Sequence, residues 1–213
     1  MYLLRRLCRT ALRQYLPELR RQPGDASHPA GQTPGEEPGV DKALHHYAAD
    51  HYPQWRTELD RSAFSPGDFG ENVASLGLTE ETVCIGDVFA LGTATVQVSQ
   101  GRQPCWKVNE HTANKKMAYL FQKTGRTGWY YRVLEPGIAG AGDTVSLLGR
   151  TQPNWTVERV TAARLTRRVS EADAEVLAVM PELADGWRTA FTKMAGGNLE
   201  KSTSGRLNGG NTD

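Results

Sequence analysis

Thr93-Ala-Thr-Val-Gln-Val-Ser99 is the segment that decides the fold, because apolar and polar side chains alternate strictly along it. A period of two is typical of a β-strand with one buried face. The run Asp87–Leu91 precedes it across Gly92 and is predicted to be the first arm of a hairpin. We therefore expect an antiparallel pair of strands at the centre of the chain.

Further strands are predicted on the C-terminal side of this hairpin. Residues 128–134 and 143–148 have strand composition and are separated by a turn rich in glycine and proline. Between the hairpin and these strands, Ala113 to Phe121 has helical spacing, and Gly125 is placed to end that helix. Short strands divided by glycine turns predict a closed or sandwiched β core.

The two ends of the chain differ from this core. Helical patterns cover residues 157–167, 170–180 and 183–195, whereas six arginines and a leucine-rich face in residues 1–22 predict a basic amphipathic helix. Apolar spacing from Leu44 to Leu59 predicts one helix or two short ones. The predicted division is residues 1–38, a basic helix and Pro/Gly-rich linker; 39–150, the β domain; 155–197, a three-helix domain; and 198–213, a disordered tail.

Charge and cysteine content exclude several functional classes. The chain of 213 residues has 25 basic and 24 acidic residues, so no chain-wide field favours nucleic acid or an anionic membrane. Its three cysteines are widely spaced and form no C-x-x-C pair, which argues against a disulfide scaffold or a zinc knuckle. No run reaches the length of about 18 apolar residues that a membrane span needs. We expect a cytoplasmic protein with no nucleic-acid or membrane partner.

Cys105 is the residue in which chemistry is most expected. It follows Pro104, which constrains the backbone at the end of the predicted strand, and it lies between Arg102 and Lys107. Positive groups near the sulfur would favour the thiolate, which is the form that acts as nucleophile or metal ligand. The residues alone leave a second interpretation open, in which Cys105 is a buried structural cysteine packed under Trp106.

Other candidates carry weaker signals. The segment from Gly67 to Asn72 has two glycines that would let backbone N–H groups approach a phosphate, although an ordinary turn has the same composition. His45 and His46 could each join a metal site, but adjacent side chains on a helix diverge and cannot chelate one ion together. The aromatic run from Trp129 to Tyr131 could stack on a planar ligand or belong to the core.

Several segments taken together resemble one family, the MOSC domain, in its YiiM-like branch with a C-terminal three-helix domain. No single motif is specific for this family, but the order in which the motifs occur along the chain is. The matching segments are Gly39–Tyr47, Phe69–Asn72, Leu78–Glu80, Ile85–Asp87, Val98–Gln100 followed by Arg102, Pro104, Cys105 and Lys107, and Gly128–Tyr130.

This resemblance implies a mainly β fold, a MOSC-type β-barrel with an appended helical domain, that binds the molybdenum cofactor, a metal–pterin with a phosphate. The position of the family's proposed metal ligand, which is also the catalytic residue, falls on Cys105. Groups that would hold the cofactor are Arg102, Lys107, Lys42, Gly70, Glu71 and Asn72. Pyridoxal phosphate, which is also associated with the family as a whole, is not expected, because no lysine has the context of a Schiff base.

The implied activity is the reduction of N-hydroxylated compounds such as 6-hydroxylaminopurine, a detoxification of base analogues, with electrons from a separate donor protein. A metal cofactor suits this reaction because side chains cannot store two electrons. The alternatives are a non-catalytic cofactor or sulfur carrier and, less favoured, a cysteine hydrolase with His45 or His46 as base. The chain departs from the family before Gly39, where Glu37-Pro-Gly39 replaces a His-Gly-Gly, so the N-terminal part of the barrel is predicted to be lost or replaced. An inactive protein is therefore a further alternative.

Overall fold

The computed structural model describes residues 2–3, 40–197 and 206–207. Six strands between residues 44 and 149 form one sheet, to which Tyr2–Leu3 add a short seventh. In chain order the strands are β1 (Tyr2–Leu3), β2 (Leu44–Ala48), β3 (Val73–Ser75), β4 (Val88–Leu91), β5 (Ala94–Gly101), β6 (Trp129–Glu135) and β7 (Thr144–Gly149). The helices are α1 (Tyr52–Glu58), α2 (Lys107–His111), α3 (Met117–Thr124), α4 (Val157–Thr166), α5 (Glu171–Val179) and α6 (Asp185–Ala195), with 3-10 turns at Val40–Lys42 and Ala49–His51.

The sheet is curled into a half-barrel. Its order is β1-β7-β4-β5-β6-β2-β3, and every neighbouring pair is antiparallel except β2 and β3. Register shifts in the β5–β6 pair lie between Thr95 and Val96 and between Val98 and Gln100. Such bulges increase the local twist and curve a sheet. The fold is therefore the β-barrel type with appended helices that the resemblance implied.

Most of the predicted elements are confirmed. The hairpin is β4 and β5, the helix ending at Gly125 is α3, and residues 128–134 and 143–148 correspond to β6 and β7. Gly125 has a φ of 74°, the left-handed conformation that ends helices at glycine. The three C-terminal helices are α4, α5 and α6, and the side chains of Thr156 and Ser170 cap the first two of them.

One prediction was wrong, because Leu44–Ala48 form a strand where a helix was expected. All five side chains of β2 are buried, since helices and neighbouring strands cover both of its faces. A strand buried on both faces loses its alternation of apolar and polar residues. The spacing of Leu44, Tyr47 and Ala48 then imitated a helical face, and only Tyr52–Glu58 of the predicted region is α-helical.

Two hydrophobic clusters lie on the two faces of the sheet. One joins inward-facing sheet residues such as Val73 and Val98 to the C-terminal helices through Trp187 and Phe191. The second packs α1, α2 and α3 around the aromatic side chains of Tyr47, Tyr52, Trp55, Phe64, Phe69 and Phe121.

The N-terminal helix, the linker and the tail predicted for residues 1–38 and 198–213 lie outside the described residues, apart from two short pieces. Tyr2 and Leu3 pair with Val145 and Thr144 as strand, not helix. Arg206 and Leu207 contact the segment from Pro104 to Gln122. Among the described helices, none has both the length and the apolar character needed to cross a bilayer.

Candidate functional site

Cys105 lies on a short loop between β5 and α2 and is half-buried. The last pairing at the end of β5 is the bond from the Arg102 amide to the Gly128 carbonyl, at 3.0 Å. Pro104 has no N–H with which to continue the sheet, so the chain leaves it there. The Cys105 carbonyl then accepts the amide of Val108 at 3.1 Å, which starts the turn into α2. The thiol thus lies on a loop anchored at both ends.

Arg102 is the first residue of this loop and is buried, with only 7% of its surface exposed. Its Nη1 donates to the carbonyl of Phe69 at 2.8 Å, and its guanidinium lies 5.7 Å from the centre of the Phe121 ring. Among residues 40–197, no carboxylate forms an ion pair with Arg102. A buried cation without an anionic partner is unfavourable. The charge of Arg102 is thus not balanced by a carboxylate within these residues.

His45 and Tyr130 complete a group with Arg102 and Cys105, which we call the Cys105 cluster. His45 pairs with Tyr130 across β2 and β6, and their rings lie 5.1 Å apart. His45 Nε2 lies 3.5 Å from both Arg102 Nη1 and the Thr127 carbonyl. Burial and the nearby Arg102 charge lower the pKa of His45 well below its usual value, so the ring is neutral.

Tyr130 is kept protonated in the same cluster. Burial raises the pKa of its hydroxyl, the Arg102 charge opposes this shift, and the charge of Cys105 adds to it. Both charges therefore act on this phenol. The cluster combines a thiol, a cation and a neutral hydroxyl donor.

His46 faces away from the Cys105 cluster. Its two ring nitrogens lie 2.9 Å from the hydroxyls of Tyr131 and Ser75, and its ring stacks on Trp129 at 4.3 Å. Both nitrogens are thus engaged, and neither can serve as a base for Cys105. Within the part of the chain that the structure describes, no three His, Cys, Asp or Glu side chains form a group that could hold a metal ion.

The loop from Gly67 to Asn72 uses its polar groups internally. The Glu71 carboxylate accepts the amides of Gly67 at 2.8 Å and Phe69 at 3.1 Å and also the hydroxyl of Tyr52. The amide of Gly70 donates to the Gly67 carbonyl at 3.1 Å. The Glu71 carboxylate thus accepts two of the main-chain amides of its own loop.

Asn72 ties the same loop to β2. Its amide donates to the His45 carbonyl at 2.9 Å, and its side-chain oxygen accepts the His45 amide at 2.8 Å. The assignment of Gly70, Glu71 and Asn72 to the cofactor stays a prediction. Their observed contacts hold the loop that presents the Phe69 carbonyl to Arg102.

The two predicted lysines occupy different positions. Lys107 is half-buried at the first residue of α2, two residues from Cys105. Lys42 is exposed on the 3-10 turn Val40–Lys42, where its neighbour Asp41 forms a 2.8 Å ion pair with Arg132. Arg102 and Lys107 thus lie at the two ends of the Cys105 loop, whereas Lys42 lies on a separate turn that precedes β2.

Glu80 supports the cluster and was not predicted from sequence. Its buried carboxylate accepts the Gly128 amide at 2.7 Å and contacts His51 Nε2 at 2.7 Å. A Cβ at Gly128 would lie 2.2 Å from the His46 carbonyl, so only glycine fits there. This turn carries the carbonyls that contact Arg102 and His45. In the sequence, Glu80 stood out only as part of the family segment Leu78–Glu80, and that segment did not indicate a role for its side chain.

Comparison with known proteins gives several close matches. The model of the MOSC domain matches residues 32–146. The uncharacterized protein YflK of Bacillus subtilis (strain 168) is 42% identical over 161 residues, which are 73% of this chain and 70% of YflK. The crystal structure of YiiM from Escherichia coli superposes with a TM-score of 0.74 at 35% identity, over 80% of this chain and 86% of that one. A Gibberella moniliformis protein named Reductase is 39% identical over 135 residues, 62% of this chain but 24% of its own length.

Proposed function

The chain belongs to the MOSC domain family, in its YiiM-like branch, and from this premise we propose that it is a molybdenum-dependent reductase of N-hydroxylated compounds such as 6-hydroxylaminopurine. The observation that carries the proposal is the buried Arg102, which has no carboxylate partner among residues 40–197 and lies on the same loop as Cys105. A relative that is named Reductase supports the class of reaction.

The residues of the Cys105 cluster fit an anionic metal–pterin. A half-buried thiolate is a soft ligand that suits molybdenum, and a planar guanidinium suits phosphate or pterin oxygens. Cys105 would bind the metal, while Arg102 and Lys107 would hold the negatively charged part of the cofactor. Lys42, Gly70, Glu71 and Asn72 remain predicted contacts of lower priority. Gly70 and Glu71 are engaged within their own loop, and Asn72 is bonded to His45 on β2.

The proposed reaction breaks the N–O bond of a hydroxylamine, consumes two electrons and two protons, and releases an amine and water. Bound cofactor would supply the electron pair, which a separate donor protein would replace. The protein's own groups would bind and orient the substrate. Because burial raises its pKa, Tyr130 keeps its proton and would offer a hydrogen-bond donor to the substrate.

Metal analysis of the full chain, produced in a host that makes the cofactor, tests the proposal. We expect molybdenum in the wild type and in Cys84→Ser, and none in Cys105→Ser. Cys84 is the matched control because its buried thiol donates to the Pro153 carbonyl at 3.6 Å, away from the Cys105 loop. Wild-type protein without molybdenum, or Cys105→Ser with the full amount, would refute the assignment.

Reduction of 6-hydroxylaminopurine with a chemical electron donor separates a reductase from a carrier. Formation of adenine by the molybdenum-loaded wild type supports the reductase. Molybdenum bound without turnover would instead favour a non-catalytic cofactor or sulfur carrier. Arg102→Met keeps the apolar part of the side chain but removes its charge, so we expect less bound molybdenum in this variant.

A further inference from the structure

Arg206 lies against the loop that carries Cys105, although about one hundred residues separate the two in sequence. Its guanidinium donates to the Pro104 carbonyl and, at 2.6 Å, to Gln122 Oε1 on α3. Its carbonyl accepts the amide of Trp106 at 2.9 Å. The residues immediately before and after Cys105 are thus both bonded to Arg206.

Leu207 extends the same contact to the next helix. Its carbonyl accepts Asn109 Nδ2 on α2 at 3.2 Å, and its side chain packs against the aromatic cluster around α1, α2 and α3. Asn109 Oδ1 in turn accepts the amide of Ala118 on α3 at 2.7 Å. Residues 206–207 therefore tie together the Cys105 loop, α2 and α3.

The Cys105 loop needs such support because it lacks regular main-chain pairing. Pro104 has no N–H, and the Cys105 carbonyl is committed to the first turn of α2. A loop residue that must hold a ligand in one geometry depends on neighbours that lock its position. The contacts from Arg206 act on the carbonyl before Cys105 and on the amide after it.

We propose that residues 206–207 form a strap that positions the Cys105 thiol, with Arg206 as a positioning residue. The relevance of this strap to catalysis rests on the proposed function, in which Cys105 binds molybdenum. The positioning itself is a property of the polypeptide and can be measured on the thiol without any metal.

The test is the rate at which iodoacetamide alkylates Cys105 in the full chain purified from a host without the cofactor. Peptide mass spectrometry distinguishes Cys105 from the other two cysteines. We expect Arg206→Ala to raise the alkylation rate at Cys105 about tenfold. Losing a hydrogen bond shifts the equilibrium between the closed and the open loop by about this factor. Gln122→Ala removes one acceptor and should raise it by a smaller factor, about threefold.

Two controls make the result specific. Arg168→Ala removes an exposed arginine between α4 and α5 and should leave the rate at Cys105 unchanged. The double variant Arg206→Ala/Gln122→Ala should react no faster than Arg206→Ala, because the two side chains share one contact. An unchanged rate in Arg206→Ala, or an equal rise at buried Cys84, would overturn the proposal.

The outcome also separates the two proposals. Faster alkylation confined to Cys105 supports the strap whether or not the protein binds molybdenum. Wild-type protein that lacks molybdenum after expression in a cofactor-producing host would refute the reductase and leave the strap intact. If both proposals hold, Arg206→Ala also contains less molybdenum than the wild type.

Discussion

The buried imidazole of His46 makes a quantitative prediction about acid stability. Burial lowers its pKa from 6.5 to about 3 in the folded protein. Between these two values the unfolded chain binds a proton that the folded chain does not. The neutral His46 ring therefore makes its full contribution to the free energy of unfolding above pH 6.5. This contribution is lost as the pH decreases towards 3. Each pH unit in this window removes about 1.4 kcal/mol, which gives a loss of about 2 kcal/mol at pH 5.

The variant His46→Gln tests this value because its amide does not titrate but can still bond to Ser75 and Tyr131. Urea unfolding at pH 7.5 and pH 5, followed by tryptophan fluorescence, gives the change in stability of each protein. His45 contributes equally to both, so we expect the variant to lose about 2 kcal/mol less than the wild type. Ser75→Ala keeps the imidazole and should show the wild-type pH dependence from a lower starting stability. Equal losses in His46→Gln and the wild type would refute the buried neutral ring.

Two further substitutions test the packing around the site. The Cβ added in Gly101→Ala would lie 1.9 Å from Oγ1 of the buried Thr161, so we expect urea unfolding to show a loss of stability of about 2 kcal/mol. Gly149→Ala is the control: its Cβ would lie in open space, and stability should change by less than about 0.5 kcal/mol. Equal midpoints for these two variants would contradict the close packing of β5 on α4. Glu80→Gln weakens the bond to the Gly128 amide and should lower stability by about 1.5 kcal/mol; an unchanged unfolding midpoint would show that the charge is not needed there.

The sequence predicts the elements in which local pattern and environment agree. The alternation in β5 is visible because one face is more buried than the other, and the cap residues of the C-terminal helices reveal where those helices begin. The strand β2 was missed because burial on both faces removes the periodic signal. Periodicity reports a difference between two faces, so it fails where that difference vanishes.

The candidate site could be predicted only in part for a similar reason. Cys105 and Arg102 are three positions apart in sequence and were predicted together, as a thiol close to a cation. The approach of His45 and Tyr130 depends on strand pairing across 85 residues, and Arg206 reaches the loop from the other end of the chain. Contacts of this kind arise from tertiary structure and leave no local pattern.

Main-chain atoms provide many of the contacts that hold the Cys105 cluster. Arg102 is bound by the carbonyl of Phe69, His45 lies near the carbonyl of Thr127, and Glu80 accepts the amide of Gly128. Amides and carbonyls are almost the same whichever side chain a residue carries. Substitutions at several of these positions can therefore accumulate during divergence without removing the contact. Relatives of this chain can thus differ in sequence around the site and still keep the same main-chain contacts.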